Sequence, residues 1–149
     1  MTIADLLKAG LECYQQGNLE AAEKNFRQVV LSDSSNIHGL NLLGMVCVNT
    51  GRHEEAVNLI SQALEINPAD AQAQGNLGLA YQRMGNQTLA ERSFRKSIEI
   101  GTNNPSIFNS LGNVLRESGQ SSEAVKVYES TLKVDGNYPE CWTNLSQAL

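Results

Sequence analysis

Thirty-four residues separate Gly10 from Gly44, Gly44 from Gly78, and Gly78 from Gly112. The same step relates Gly17, Gly51, Gly85 and Gly119, and again Ala22, Ala56, Ala90 and Ala124, without a single insertion. A fixed period of this length marks a repeat array, in which no unit buries its apolar face alone and each must stack on its neighbours. The chain divides into units 3–36, 37–70, 71–104 and 105–138, followed by a partial fifth repeat or capping helix at 139–149. With short polar junctions and no linker, residues 1–149 read as one continuous domain.

Inside a unit the apolar residues recur at helical spacing. Leu40, Leu43 and Cys47 mark one half of the second unit, and Ala56, Leu59, Ile60 and Ala63 the other. Leu77, Tyr81, Ala90, Phe94 and Ile98 repeat the pattern in the third. Two amphipathic helices per unit follow, each of about 13 residues. The glycines at 17, 51, 85 and 119 fall just past the first helix, where the chain needs a left-handed residue. Asn18 and Asn86 are capping residues for the second helices, and Glu20, Glu54, Glu55 and Glu123 place carboxylates at the positive end of the helix dipole. Pro68 stands at a junction, and Pro105 and Pro139 open first helices. The fold class is therefore all-α. The glycines at 10, 44, 78 and 112 lie mid-helix, where each costs about 1 kcal/mol relative to alanine. Close approach of the second helix at Ala22, Ala56, Ala90 and Ala124 is the expected compensation.

Charge excludes some partners. Eleven basic against 16 acidic residues give a net charge of −5, with no Lys/Arg cluster interleaved with aromatics, so neither nucleic acid nor an anionic membrane is expected. No apolar run reaches the length of a membrane span, and Met1-Thr2-Ile3-Ala4-Asp5 lacks a charged signal-peptide start, which points to a cytoplasmic protein. On the same ground the sequons at Asn86 and Asn144 are read as coincidental. Cys13 and Cys47 are one period apart, on the order of 10 Å in a stack of helices, which is too far for a disulfide. They read as small buried hydrophobes in a reducing compartment.

Catalytic and metal signatures are missing: there is no H-E-x-x-H, G-x-S-x-G or phosphate-binding loop. His38 and His53 fall in different parts of the repeat, and Glu54 and Glu55, being adjacent on a helix, point apart. No catalytic residue, metal ligand or cofactor is expected, and the chain reads as non-enzymatic. Trp142 is expected from its repeat position to pack in the core.

The pattern Leu77-Gly78, Tyr81, Gly85, Ala90, Phe94 resembles the tetratricopeptide repeat (TPR). It recurs as Leu43-Gly44, Gly51, Ala56, Ala63 and Pro68, as Leu111-Gly112, Gly119, Ala124 and Tyr128, and as Gly10, Gly17, Ala22 and Phe26, with Trp142 and Leu145 in the stub. Cys13 and Cys47 replace the usual tyrosine, and only Pro68 keeps the closing proline. The resemblance implies a right-handed superhelical solenoid of helix-turn-helix units whose first helices line a concave groove for protein or peptide partners.

It also implies which residues face that groove. In the first unit these are Leu7, Lys8, Leu11 and Tyr14, and in the second His38, Asn41, Leu42, Met45, Val48 and Asn49. Gln72, Asn76, Leu79, Gln82 and Arg83 follow, then Ser106, Asn109, Ser110, Asn113 and Arg116, and finally Asn144. The entrance is apolar, and the exit carries amides and two arginines. Side-chain amides both donate and accept, so a row of them can hold a peptide backbone with little regard to sequence. Of the two-carboxylate clamp found in chaperone-tail binders only Asn76 is present. The asparagine ladder of O-linked N-acetylglucosamine transferase superhelices is a closer likeness, through Asn76 and Asn144, but Lys8, Leu42 and Ser110 interrupt it. The expected function is a protein-interaction module binding an extended peptide or partner helix. The alternatives are an accessory TPR region cut from a larger enzyme such as a glycosyltransferase, and a self-assembling scaffold pairing as a homo-oligomer through the terminal helix or apolar half-groove.

Overall fold

A computed structural model describes residues 1–149. The chain forms nine α-helices and no strand: α1 Ile3–Gln15, α2 Leu19–Ser32, α3 Ile37–Asn49, α4 His53–Ile66, α5 Ala71–Arg83, α6 Gln87–Ile100, α7 Pro105–Glu117, α8 Ser121–Val134 and α9 Pro139–Ala148. The starts are chemically marked. Asn18, Asn36, Asp70 and Asn86 each accept a backbone N–H three residues ahead, and Thr2 with Asp5 forms a capping box. The turns are set by Gly17, Gly51, Gly85 and Gly119, with φ of 78°, 81°, 77° and 83°. Behind each glycine the next N–H reaches back five residues, as Asn86 N does to Tyr81 O, closing the first helix in a left-handed cap.

Odd-numbered first helices touch one another in sequence, α1 to α3 to α5 to α7 to α9, whereas α2, α4, α6 and α8 do not. First helices therefore form the inner layer of a superhelical solenoid and second helices the outer one. Between the layers lie Ala22, Phe26, Leu43, Val46, Ile60, Ala90, Phe94, Leu115, Ala124 and Tyr128, all but closed to solvent.

The mid-helix glycines make room for a side chain four residues beyond the expected alanine. A Cβ on Gly78 would lie 2.5 Å from the Phe94 ring, and one on Gly44 2.6 Å from Ile60. Gly10 and Gly112 stand in the same relation to Phe26 and Tyr128. The alanines are buried as expected, but the ring or Ile60 fills the space that the missing Cβ leaves. Trp142 departs further from expectation, being 54% exposed. Its equivalents Leu6 and Leu40 are buried in units where a second helix follows, and none follows α9 within these residues. The Trp142 indole instead donates from Nε1 to Gly136 O at 3.2 Å.

Candidate functional site

Helical periodicity puts positions two, five, six, nine, twelve and thirteen of each unit on one side of the first helix, and the contacts between first helices make that side the inner one. Along it the apolar residues are only partly available. Leu7, Leu42 and Met45 are half-buried against the core clusters and Leu11 is 38% exposed, while Val48 is closed off at 4%. Leu79 is half-buried against the C-terminal cluster.

The amides are less open than a solvated row would be. Asn41, Asn76 and Asn109 expose 6%, 9% and 5% of their surface. They pair across repeats: Asn76 Nδ2 donates to Asn41 Oδ1 at 2.8 Å, and Asn144 Nδ2 to Asn109 Oδ1 at 3.1 Å. Position five of one unit thus meets position six of the next, and the intervening step carries Gly75 and Ser110, which cannot form the pair. Asn113 is held from behind, its Oδ1 accepting the Tyr128 hydroxyl at 2.6 Å. The remaining polar atoms of the paired asparagines reach the surface, since the only enclosed side-chain polar atoms lacking a partner are His53 Nδ1 and Gln87 Oε1. Each pair therefore keeps free donor and acceptor capacity facing outward.

Arg83 is exposed and Arg116 half-buried, and neither is in an ion pair. Arg116 donates to Gln147 Oε1 at 2.7 Å, and the neighbouring Glu117 carboxylate instead accepts from Gln87 Nε2 at 2.8 Å.

The outer layer has its own connectors. Glu23 accepts from both Arg27 and Arg52, at 2.6 and 2.7 Å, and both arginines continue to Glu55 in the next repeat. Arg95 joins Glu91 to Glu123 in the same way, at 2.9 and 2.8 Å. Arg52 above all, and then Arg27, hold the Glu23 carboxyl down at about 2. Ion clips outside thus link the first unit to the second and the third to the fourth, while asparagine pairs inside link the second to the third and the fourth to the stub. The first step also carries an inner bond, from Asn49 Nδ2 to the Tyr14 hydroxyl at 2.6 Å.

Three sequence profiles, each described as tetratricopeptide repeat, match residues 6–36, 33–103 and 107–140. The chain belongs to the tetratricopeptide repeat family. No curated protein matches it. Among solved structures, the crystal structure of MamA protein superposes with a TM-score of 0.81 at 19% identity, covering 98% of this chain and 80% of that one. The crystal structure of the APC/C hetero-tetramer Cut9-Hcn1 gives 0.92 at 22% identity, covering the whole of this chain and 30% of that one. A Thermobaculum terrenum O-GlcNAc transferase mutant gives 0.83 at 21% identity, covering 88% of this chain and 26% of that one. At these identities the likeness is one of fold.

As a TPR array the chain is a protein-protein interaction module, and the position of each inner residue follows from the repeat register. The pairing partners do not. Glu23 with Arg27 and Glu91 with Arg95 share repeat positions, as do Asn41 and Asn109, so a 68-residue period overlies the 34-residue one and signals both sets of connectors. No helix is long and apolar enough to cross a membrane, and no group of three or more His, Cys, Asp or Glu side chains is placed to hold a metal ion.

Proposed function

We propose that the inner surface of the first helices holds an extended peptide, gripped through its backbone by the two asparagine pairs. The observation that carries this reading is the pair geometry: Asn41 with Asn76 and Asn109 with Asn144 fix each amide's direction while leaving part of it at the surface. Pre-ordered amides lose little freedom when they take up a peptide N–H or C=O. The pairs stand two repeats apart. With neighbouring helices spaced at roughly 10 Å, the two stations are about 20 Å apart, which an extended chain spans in about six residues. Arg83 and Arg116, free of carboxylate partners, favour an acidic residue or a C-terminal carboxylate beside the second station. Half-buried Leu42 and Met45 favour an apolar residue near the first. A protein partner also suits the likeness in fold to the Cut9-Hcn1 hetero-tetramer.

The test is capture from a peptide library by wild type, by Asn76→Ala/Asn109→Ala, and by Arg83→Ala/Arg116→Ala, each checked for helicity. The first variant should lose all peptides and the second acidic ones only. Capture indifferent to both places binding elsewhere.

A second reading is favoured by one observation. The α9 face exposes 54% of Trp142, so two copies can cover each other there. Light scattering across a concentration series on wild type and Trp142→Ser separates self-association from peptide capture.

A further inference from the structure

The third repeat breaks the pattern of the others at one place on its outer side. Gln74 occupies the position that holds Leu6, Leu40, Phe108 and Trp142 elsewhere, and Ser93 the one that holds Asn25, Leu59 and Val127. Both polar residues are 94% covered, at 6% exposure each, yet neither side chain has a hydrogen-bond partner in the protein, and neither has an enclosed polar atom. Their polar atoms are therefore the part that remains open. They open into a niche of about 180 Å³ between α5 and α6. Arg92 and Lys96, one turn apart on α6, line the same niche, and neither is in an ion pair. This is also the step between repeats where no ion clip forms: Val57, Ser61 and Leu89 stand where the other outer clips have Glu, Arg and Glu.

A repeat that needs only to pack would keep an apolar residue at the Gln74 position, as the other units do. Two cations outside any ion pair, beside two side chains with free hydrogen-bonding capacity, form a receptor for a negative group. Leu77, Leu89 and the Tyr81 ring supply an apolar wall beside it. We propose that this niche binds the carboxylate of a glutamate side chain presented by a protein partner, with the aliphatic stem against Leu77 and Leu89 and the carboxylate between Gln74, Ser93, Arg92 and Lys96. The volume suits one side chain, and the wall favours glutamate's stem over a bare inorganic anion. The residues lie on the opposite side of α5 from Asn76 and Leu79, because positions four, seven and eleven of a helix face away from six and nine. The niche is thus a second contact, independent of the groove, and a partner could use both.

The experiment is a titration of the uniformly ¹⁵N-labelled full chain with N-acetyl-glutamate N′-methylamide, followed by amide chemical shifts. Saturable shifts at Gln74, Leu77, Ser93 and Lys96 are expected, with binding weakened by added salt. The uncharged N-acetyl-glutamine N′-methylamide and inorganic phosphate should each bind at least about fivefold more weakly. Arg92→Gln/Lys96→Gln should weaken the glutamate probe by about fivefold or more. Gln74→Leu, which restores the residue type of the other repeats, should also weaken it while leaving the melting temperature equal or raised, so that loss of binding is not loss of fold. Asn76→Ala should leave it unchanged, which separates this niche from the groove. Absence of saturable shifts, equal binding of the glutamine probe, tighter binding of phosphate, or shifts unaltered in Arg92→Gln/Lys96→Gln would each overturn the proposal.

Discussion

Asn76 donates from Nδ2 to Asn41 Oδ1 at 2.8 Å, tying the third repeat to the second on the inner face, where both residues are all but buried. Asn41 Oδ1 receives no other donor, so Asn76→Ala should destabilise the chain by about 1–3 kcal/mol through the acceptor it strands. Adding Asn41→Ala should recover part of that loss, with a coupling energy of about 0.5–1.5 kcal/mol. Denaturant unfolding of wild type, both single variants and the double variant closes the cycle. Strict additivity would mean that the pair contributes nothing beyond its separate parts.

The two glycines of a repeat unit respond to substitution for different reasons. Gly78→Ala drives a Cβ to within 2.5 Å of the Phe94 ring and should cost about 1–3 kcal/mol by overpacking. Gly85→Ala meets nothing within 4 Å, but its φ of 77° disfavours a Cβ, at about 1 kcal/mol. Only the first should be relieved by shortening its neighbour: Gly78→Ala/Phe94→Leu should lose less than the two single variants together. Unfolding midpoints of the four proteins measure this.

These contrasts show what was legible in the sequence. Helix number and register followed from the 34-residue step, because Gly85 and its equivalents fix every turn chemically. Which residue fills the gap beside Gly78 was not legible: Ala90 and Phe94 lie one turn apart on the same face of α6, and spacing alone does not say which crosses the glycine. The inner register placed Asn41, Asn76, Asn109 and Asn144, but their closure into pairs depends on the offset between adjacent first helices, a tertiary quantity. Trp142 was misplaced because repeat position implies burial only where a second helix follows. Gln74 left a signal, as the lone polar residue at an apolar repeat position, but it is visible only when the units are compared column by column.

Burial should order the reactivity of the three thiols. Cys47 is wholly covered, and desolvation pushes its thiol up to about 11, so it stays protonated well above neutral pH. Cys141 is also covered and shifted upward by burial, and its Sγ donates to Tyr128 O at 3.3 Å. Cys13 is half-buried. A thiol-specific disulfide reagent at neutral pH should modify Cys13 first, with Cys47 and Cys141 following only as the array opens. Peptide mapping of singly modified protein checks the order; early labelling of Cys47 would show that the core between the second and third repeats opens locally.

Acid should loosen the outer clip of the first two repeats before it melts the core. The Glu23 carboxyl is lowered from 4.5 to about 2, first by hydrogen bonds from Arg52 and then by those from Arg27. A carboxyl whose folded value is depressed contributes stability in full above its unfolded value, and loses it as pH falls through the folded one. The window therefore runs from 4.5 down to about 2. Arg27 and Arg52 are 44% and 37% exposed, so solvent and salt screen the cluster. Its worth at neutral pH is then about 1 kcal/mol rather than the full value of the shift. Urea unfolding of wild type and Glu23→Gln at low ionic strength should differ by that amount near neutral pH. The gap should close as pH falls through the window and shrink when salt is raised to about 0.5 M, where the screening length approaches contact distance. A gap of the same size at both ends of the pH window would assign the effect of Glu23→Gln to packing instead of charge. The clip would then be a consequence of how the first two repeats stack, with no share in holding them together.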